Sequence, residues 1–262
     1  MAQNPRPLLG ISMGDPGGIG PEICVKALSL PELFDMCRPL VVGDAVVMAD
    51  AVRFSKLNLA IHRVTAPEDG LYSHGTVDVL DLANMPLEKL RHKQVTPEQG
   101  RASFEYVAKV IELALAGRIH GTVTCPINKA ALNAAGYHFA GHTEIYAELT
   151  KTKDYAMMLA ETDFRVVHVS THVSLREACD RVVKARVKRV IELTNDALKR
   201  LGIASPYRRG RIKPSLRRRR ALRPRRRAGN PSRRDRGSCS RHASGRAYPR
   251  GYDLLQDEGR HV

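Results

Sequence analysis

Two short polar clusters in this 262-residue chain carry side chains that could do chemistry: Gly141-His142-Thr143-Glu144, and Ser170-Thr171-His172 with Leu175-Arg176 just beyond. A His beside a Thr sets a titratable imidazole next to a hydroxyl, which suits gripping a phosphorylated or hydroxylated substrate. A second His on a strand-end loop is a candidate metal ligand, because neutral imidazole is the commonest one. Each His also has a plainer reading, since a His ahead of a helix often serves only as a hydrogen-bonding group at the helix start. Both clusters adjoin segments that can be buried. Each is therefore expected where a strand meets a loop or helix, the place where open α/β proteins bind ligands.

The elements that must position them can be read from periodicity. Leu8–Met13 reads as a short buried strand running into Gly14-Asp15-Pro16-Gly17-Gly18-Ile19-Gly20-Pro21-Glu22, with helix from Ile23 to Leu28. Gly17, Gly18 and Gly20 allow the backbone to take positive φ and approach a ligand closely. The spacing matches neither a dinucleotide fingerprint nor a phosphate-binding Walker loop, and a tight strand-to-helix turn explains the glycines equally well. Asp15 is expected to cap the next helix or meet a cofactor. Pro39–Gly43 and Val77–Leu82 read as strands, and Asp44 as the cap of a helix over Ala45–Val52. Thr96-Pro97-Glu98-Gln99 has the pattern of a capping box opening a long helix that Gly117 stops. Further strands are predicted at Gly121–Thr124, Tyr155–Leu159 and Arg165–Val169, with helices at Lys129–Ala135, Glu144–Leu149 and Val182–Leu201. Asn128 and Lys129 either start a helix or face a cleft, and Arg176 either clamps a carboxylate or phosphate or makes a surface ion pair. Alternating strand and helix predicts a mostly parallel sheet covered on both faces.

Composition bounds the function. Apolar residues make up 43% of the chain, enough for a real core. No stretch approaches the ~20 apolar residues that span a bilayer, and Met1–Gly10 lacks the features of a secretory signal. Cys24, Cys37, Cys125, Cys179 and Cys239 form no CxxC pair, which suits free thiols and a cytoplasmic location. The formal net charge of +16 is concentrated: residues 207–262 hold 19 Lys and Arg against 4 Asp and Glu, whereas residues 1–206 are almost neutral. After Pro206 no apolar period survives, and Arg217–Arg220 and Arg225–Arg227 are basic runs. This tail is expected to be disordered.

SMGDPGGIGPE, TCPINKAAL, GHTE, DYAMML and VHVSTHVSLRE, spread in order over about residues 8–206, resemble the 4-hydroxythreonine-4-phosphate dehydrogenase family of vitamin B6 biosynthesis. The resemblance implies a three-layer α/β/α fold similar to isocitrate and isopropylmalate dehydrogenases, with two subdomains, a cleft between them and a homodimeric assembly. It implies oxidation of a secondary alcohol with NAD (or NADP), then loss of CO2 assisted by a divalent metal such as Zn, Mg or Co. His142 and Thr143 would bind the substrate, a phosphorylated four-carbon hydroxy acid, and His172 would ligate the metal. HVSTHVSLR looks closer to the branch acting on 4-phospho-D-threonate or D-erythronate 4-phosphate.

The chain departs from the family pattern beyond Pro206. Two further metal histidines belong to NPHAGE and YHDQG motifs, and neither motif is present. A frameshift accounts for the departure. Ala221–Arg227 can be encoded by GCTCTTCGGCCGAGACGAAGA, which one base later reads Leu-Phe-Gly-Arg-Asp-Glu, similar to the family's sequence just after NPHAGE. The body, 1–206, is then an incomplete dehydrogenase whose dimer contacts are in doubt, and 207–262 is a non-family tail. Another class of function is nucleic-acid binding through the basic tail, which would be strongly salt-dependent. Only Tyr207, Tyr248 and Tyr252 interleave the tail as stacking residues, so neither a nucleic acid nor a membrane is the expected partner.

Overall fold

The structure is a computed structural model and describes residues 6–161 and 164–203. Residues 207–262, the basic tail, lie outside the described residues. Five strands, β1 (Leu8–Ser12), β2 (Arg38–Gly43), β3 (Ala60–Val64), β4 (Thr76–Asp81) and β5 (Gly121–Thr124), form one sheet in the order β3-β4-β2-β1-β5. Every pairing is parallel. Strand side chains alternate between faces, and the core divides accordingly. Val41, Val77 and Val79 pack with helices α1 (Gly20–Leu28), α2 (Pro31–Met36) and α3 (Ala45–Phe54). Leu8, Leu40, Val42 and Leu80 pack on the opposite face against Val110 and Leu113 of α4 (Pro97–Leu115). The result is the expected α/β/α arrangement.

Helix α4 also carries the part of the chain that bears the first polar cluster. Its Val107 and Ile111 bury Leu132 of α5 (Lys129–Ala134) and Ile145 of α6 (His142–Leu149). Phe104 of α4 stacks on Tyr137 between them, with ring centroids 3.9 Å apart. A Cβ on Gly100 would lie 2.0 Å from the Ala131 carbonyl oxygen, so α5 seats directly on the helix backbone there.

Several local expectations change. Thr96 caps α4 by accepting from the Gln99 N–H, but the Gln99 side chain does not reciprocate. It is fully buried, accepts from the Arg91 N–H and donates to the Gln94 carbonyl, stitching the loop ahead of the helix. Asp44 does precede α3, yet its side chain makes no cap; it accepts from the Tyr106 hydroxyl at 2.6 Å and from the Asn84 N–H. The α3 start is served from the neighbouring strand, where Asp81 accepts from the Ala45 N–H. Only Gly14 in the glycine-rich turn takes positive φ (+77°); Gly17, Gly18 and Gly20 do not. α2 and β3 were not foreseen, because α2 is one short turn-and-a-half and β3 is an edge strand with a single buried residue.

Beyond α6 the parallel pattern ends. β6 (Met158–Glu161) and β7 (Phe164–Val167) pair antiparallel as a separate two-stranded sheet, so the first of the two strands begins three residues later than Tyr155. Helices α7 (Leu175–Arg181) and α8 (Lys184–Arg200) follow, α7 being unforeseen. Of the apolar residues on α8 and at its two ends, only Val190 and Leu198 are buried, whereas Val183, Ile191 and Leu201 are exposed. Among the described residues, no helix is long and apolar enough to cross a membrane.

Candidate functional site

The connection after β1 leads to α1 on one face of the sheet, and that after β5 leads to α5 packed with α4. β1 and β5 are neighbours, so their C-terminal ends form the switch point where open sheets bind ligands. The glycine-rich turn after β1 is closed by the chain itself. Gly17 donates to the Asp15 carboxylate at 3.0 Å, Gly18 donates to the Asp15 carbonyl, and the Gly17 carbonyl accepts from the Lys93 N–H. A Cβ on Gly17 would meet the Gln99 side chain at 2.3 Å. Asp15 is thus the anchor of its own turn, and burial pushes its carboxyl above the ordinary value while the Gly17 N–H pulls it back. This turn leaves no cradle for a dinucleotide pyrophosphate.

Asn128, after β5, is the N-cap of α5 and accepts from the Ala130 and Ala131 N–H groups. His142 and Thr143 are the first two residues of α6. The helix follows Gly141, which offers no side-chain cap to its leading N–H groups. Such N–H groups attract anions. Glu144 sits one residue further along the same turn, with one carboxylate oxygen buried and unpartnered among the described residues.

The second cluster lies on the loop from β7 to α7. His172 takes a left-handed φ of +56°, unusual for a residue with a Cβ. Arg186 of α8 holds this loop, donating to the Val169 carbonyl at 3.0 Å and to the Tyr155 carbonyl at 2.9 Å. A cleft of about 670 Å³ is lined by His172, Ser170 and Thr171 together with Glu144, Lys153, Arg181 and Arg186. His172 and the α6 turn are thereby brought to one place through Glu144. His142 and Thr143 lie on that turn but are not among the lining residues. Arg176 is exposed on α7 and does not line the cleft.

The lining cations Lys153, Arg181 and Arg186 were not singled out from the sequence. Lys153 lies on the loop between α6 and β6, Arg181 on α7 and Arg186 on α8, and no spacing rule joins them. Arg181 pairs with Glu177 at 2.6 Å. Lys153 makes no ion pair among the described residues and is the cation best placed to meet an incoming anion. The cleft therefore suits a small, polar, negatively charged ligand.

Burial pushes the His142 imidazole below its ordinary value, and a hydrogen bond with the Cys125 backbone partly opposes that. At neutral pH the ring is uncharged, a hydrogen-bonding partner rather than a cation. Below the ordinary His value of about 6.5 the unfolded chain binds this proton and the folded chain resists it. The stability associated with His142 is complete above that value and is lost as pH falls through the window beneath it. The urea midpoint is expected to fall between pH 7 and pH 5.5, and to fall less in His142→Gln. Equal falls in both proteins would show that His142 is not perturbed.

A divalent metal does not fit these residues. Among the described residues, no group of three or more His, Cys, Asp or Glu is placed to hold one. His172 and Glu144 supply two donors where a stable site needs about three protein ligands or more oxygen donors.

Residues 35–208 match the family described as pyridoxal phosphate biosynthetic protein PdxA, about two thirds of the chain. The chain belongs to the PdxA family. It is 44% identical over 201 residues to a Symbiobacterium thermophilum protein named "Putative D-threonate 4-phosphate dehydrogenase", covering 77% of this chain and 60% of that protein. It is 42% identical over 202 residues to the 4-hydroxythreonine-4-phosphate dehydrogenase of Desulforapulum autotrophicum, covering 77% and 59%. Among solved structures, the 4-hydroxythreonine-4-phosphate dehydrogenase of Burkholderia phymatum matches with a TM-score of 0.70 at 37% identity, over 76% of this chain and 60% of that one. The Klebsiella pneumoniae enzyme of the same name matches with a TM-score of 0.71 at 33% identity, covering 76% and 61%. The chain thus spans about 60% of the length of the PdxA relatives it matches.

Proposed function

We propose that this chain carries the substrate-recognition part of an NAD-dependent dehydrogenase for a phosphorylated four-carbon hydroxy acid, and that by itself it binds this ligand without turning it over. The observation that carries the proposal is the cationic cleft that joins the His172 loop to the α6 turn. Lys153 draws in a phosphate or carboxylate. His142 and Thr143, next to the lining Glu144 but outside the cleft wall, would meet its remaining oxygens only where the ligand reaches past Glu144 to the start of α6, with the imidazole able to donate to or accept from a substrate hydroxyl. NAD, when bound, supplies the hydride acceptor. His172 is proposed as one donor of the metal site of the complete family fold, in which two other histidines complete the set. Decarboxylation would follow oxidation only where that set is whole.

D-threonate 4-phosphate and 4-hydroxythreonine-4-phosphate are both candidates, since relatives bearing either name match at nearly equal identity. Isothermal titration of the purified chain with each is expected to give saturable binding, tighter for one of the two. Removing a charge-assisted contact costs about 1.5–3 kcal/mol, so Lys153→Ala is expected to weaken binding roughly tenfold or more. Unchanged affinity in that variant, with binding retained, would place the ligand elsewhere. No binding of either compound by a folded chain would defeat the proposal.

A further inference from the structure

Cys24 on α1 and Cys125 just after β5 are separated by 101 residues in sequence, yet their Sγ atoms lie 3.3 Å apart in the core. Both side chains are buried. A disulfide requires about 2.05 Å, so the sulfurs need to close by only about 1.2 Å. The surroundings hold Cys125 firmly. Its N–H donates to the Ser12 carbonyl, and the next carbonyl, of Pro126, accepts from the Asp15 N–H. A Cβ on Gly20 would come 3.4 Å from the Cys125 Cβ, so the first turn of α1 is drawn close to this loop. The pair thus bridges the two connections that leave the sheet at its switch point.

We infer that Cys24 and Cys125 form a redox-modifiable pair that peroxide converts to a disulfide. This goes beyond the proposed function and does not depend on it. Either thiol can donate to the other across this distance. Their hydrogen bond favours the thiolate at Cys125 and, with burial, disfavours it at Cys24. Cys125 is taken as the nucleophile, and the balance is the same with the roles exchanged. Its thiolate attacks one peroxide oxygen, the O–O bond breaks, and hydroxide leaves as water after taking a proton. The resulting sulfenic acid is attacked by Cys24 sulfur, the S–O bond breaks, and a second water leaves with the Cys24 proton. The sum is two thiols and one peroxide giving one disulfide and two waters. The link also adjoins the start of α6, because the Cys125 backbone hydrogen-bonds to the His142 side chain.

The test uses the full chain, reduced and then treated with hydrogen peroxide in native buffer and, separately, in concentrated guanidinium. Free thiols are alkylated after unfolding, and the products are mapped by mass spectrometry. In native buffer the expected product has lost roughly 2 Da and yields a linked peptide containing Cys24 and Cys125, with Cys37 and Cys179 still alkylated. In guanidinium that linkage is expected to be at least about tenfold less abundant, since proximity in the fold creates it. The oxidised chain is also expected to melt about 5 °C or more higher, because the link closes a long loop. Cys125→Ser, folded or not, is expected to lose the linked peptide. Linkage through another cysteine, equal linkage with and without guanidinium, or full alkylation of Cys24 and Cys125 after peroxide would each overturn the inference.

Discussion

Given NAD, a divalent cation and either phosphorylated substrate, the 262-residue chain is expected to make no NADH above the protein-free rate. Binding and turnover separate here for a physical reason. The cleft supplies cations and hydrogen-bonding groups sufficient to hold an anion, all of them within residues 140–186. Stabilising the developing alkoxide needs a metal held rigidly by several donors, and the described residues offer His172 with one carboxylate nearby. Lewis-acid stabilisation is worth several kcal/mol, and about 1.4 kcal/mol is a factor of ten in rate. The rate is therefore expected to lie at least about 10³-fold below that of a complete relative measured alongside. Turnover near the ordinary enzymatic rate of roughly 10 s⁻¹ would refute the proposal that this chain is a binding unit only.

A large effect on stability is expected at Gly14. Its φ of +77° costs a residue with a Cβ roughly 1–2 kcal/mol. That Cβ would also lie 2.4 Å from the Pro126 carbonyl oxygen and 3.0 Å from the Cys125 carbonyl carbon. Both are backbone atoms, so relief requires the β5 connection to move, a further cost on the order of 1–3 kcal/mol. Gly14→Ala is expected to destabilise the chain by about 3 kcal/mol in urea titration. Gly75 provides the control: its φ is +89°, and a Cβ there would meet nothing within 4 Å. Gly75→Ala is expected to cost only about 1 kcal/mol. Equal losses at the two positions would show that close approach between the β1 and β5 connections is not what fixes Gly14.

The body of the fold was legible because its signals are local. Short apolar runs buried almost throughout mark β2 and β4, and the Thr96 cap with its proline marks the start of α4. Of the motifs that resemble the family, GHTE, DYAMML and VHVSTHVSLRE contribute residues to the cleft, whereas SMGDPGGIGPE and TCPINKAAL do not. What escaped the sequence was long-range. Nothing in the spacing of Asp44, Asp81 and Tyr106 shows that Asp81 serves the start of α3 and leaves Asp44 to Tyr106. The glycines of the β1 turn suited either a ligand or a tight turn, and the sequence did not show that Gln99 packs against Gly17 and Met13 against Gly20. The antiparallel β6–β7 pair was hidden because short apolar runs do not declare the direction of their partners. Lys153, Arg181 and Arg186 were hidden because a surface cation becomes a site residue only once the chain has folded around it.

The central claim is that the α6 turn and the His172 loop form one ligand site. The direct measurement is imidazole NMR of the chain during titration with D-threonate 4-phosphate, with His142→Gln and His172→Gln assigning the two signals. The His142 and His172 resonances are expected to shift together along curves giving a single Kd. Saturable binding that leaves either resonance unmoved, or moves the two with different Kd values, would contradict the claim.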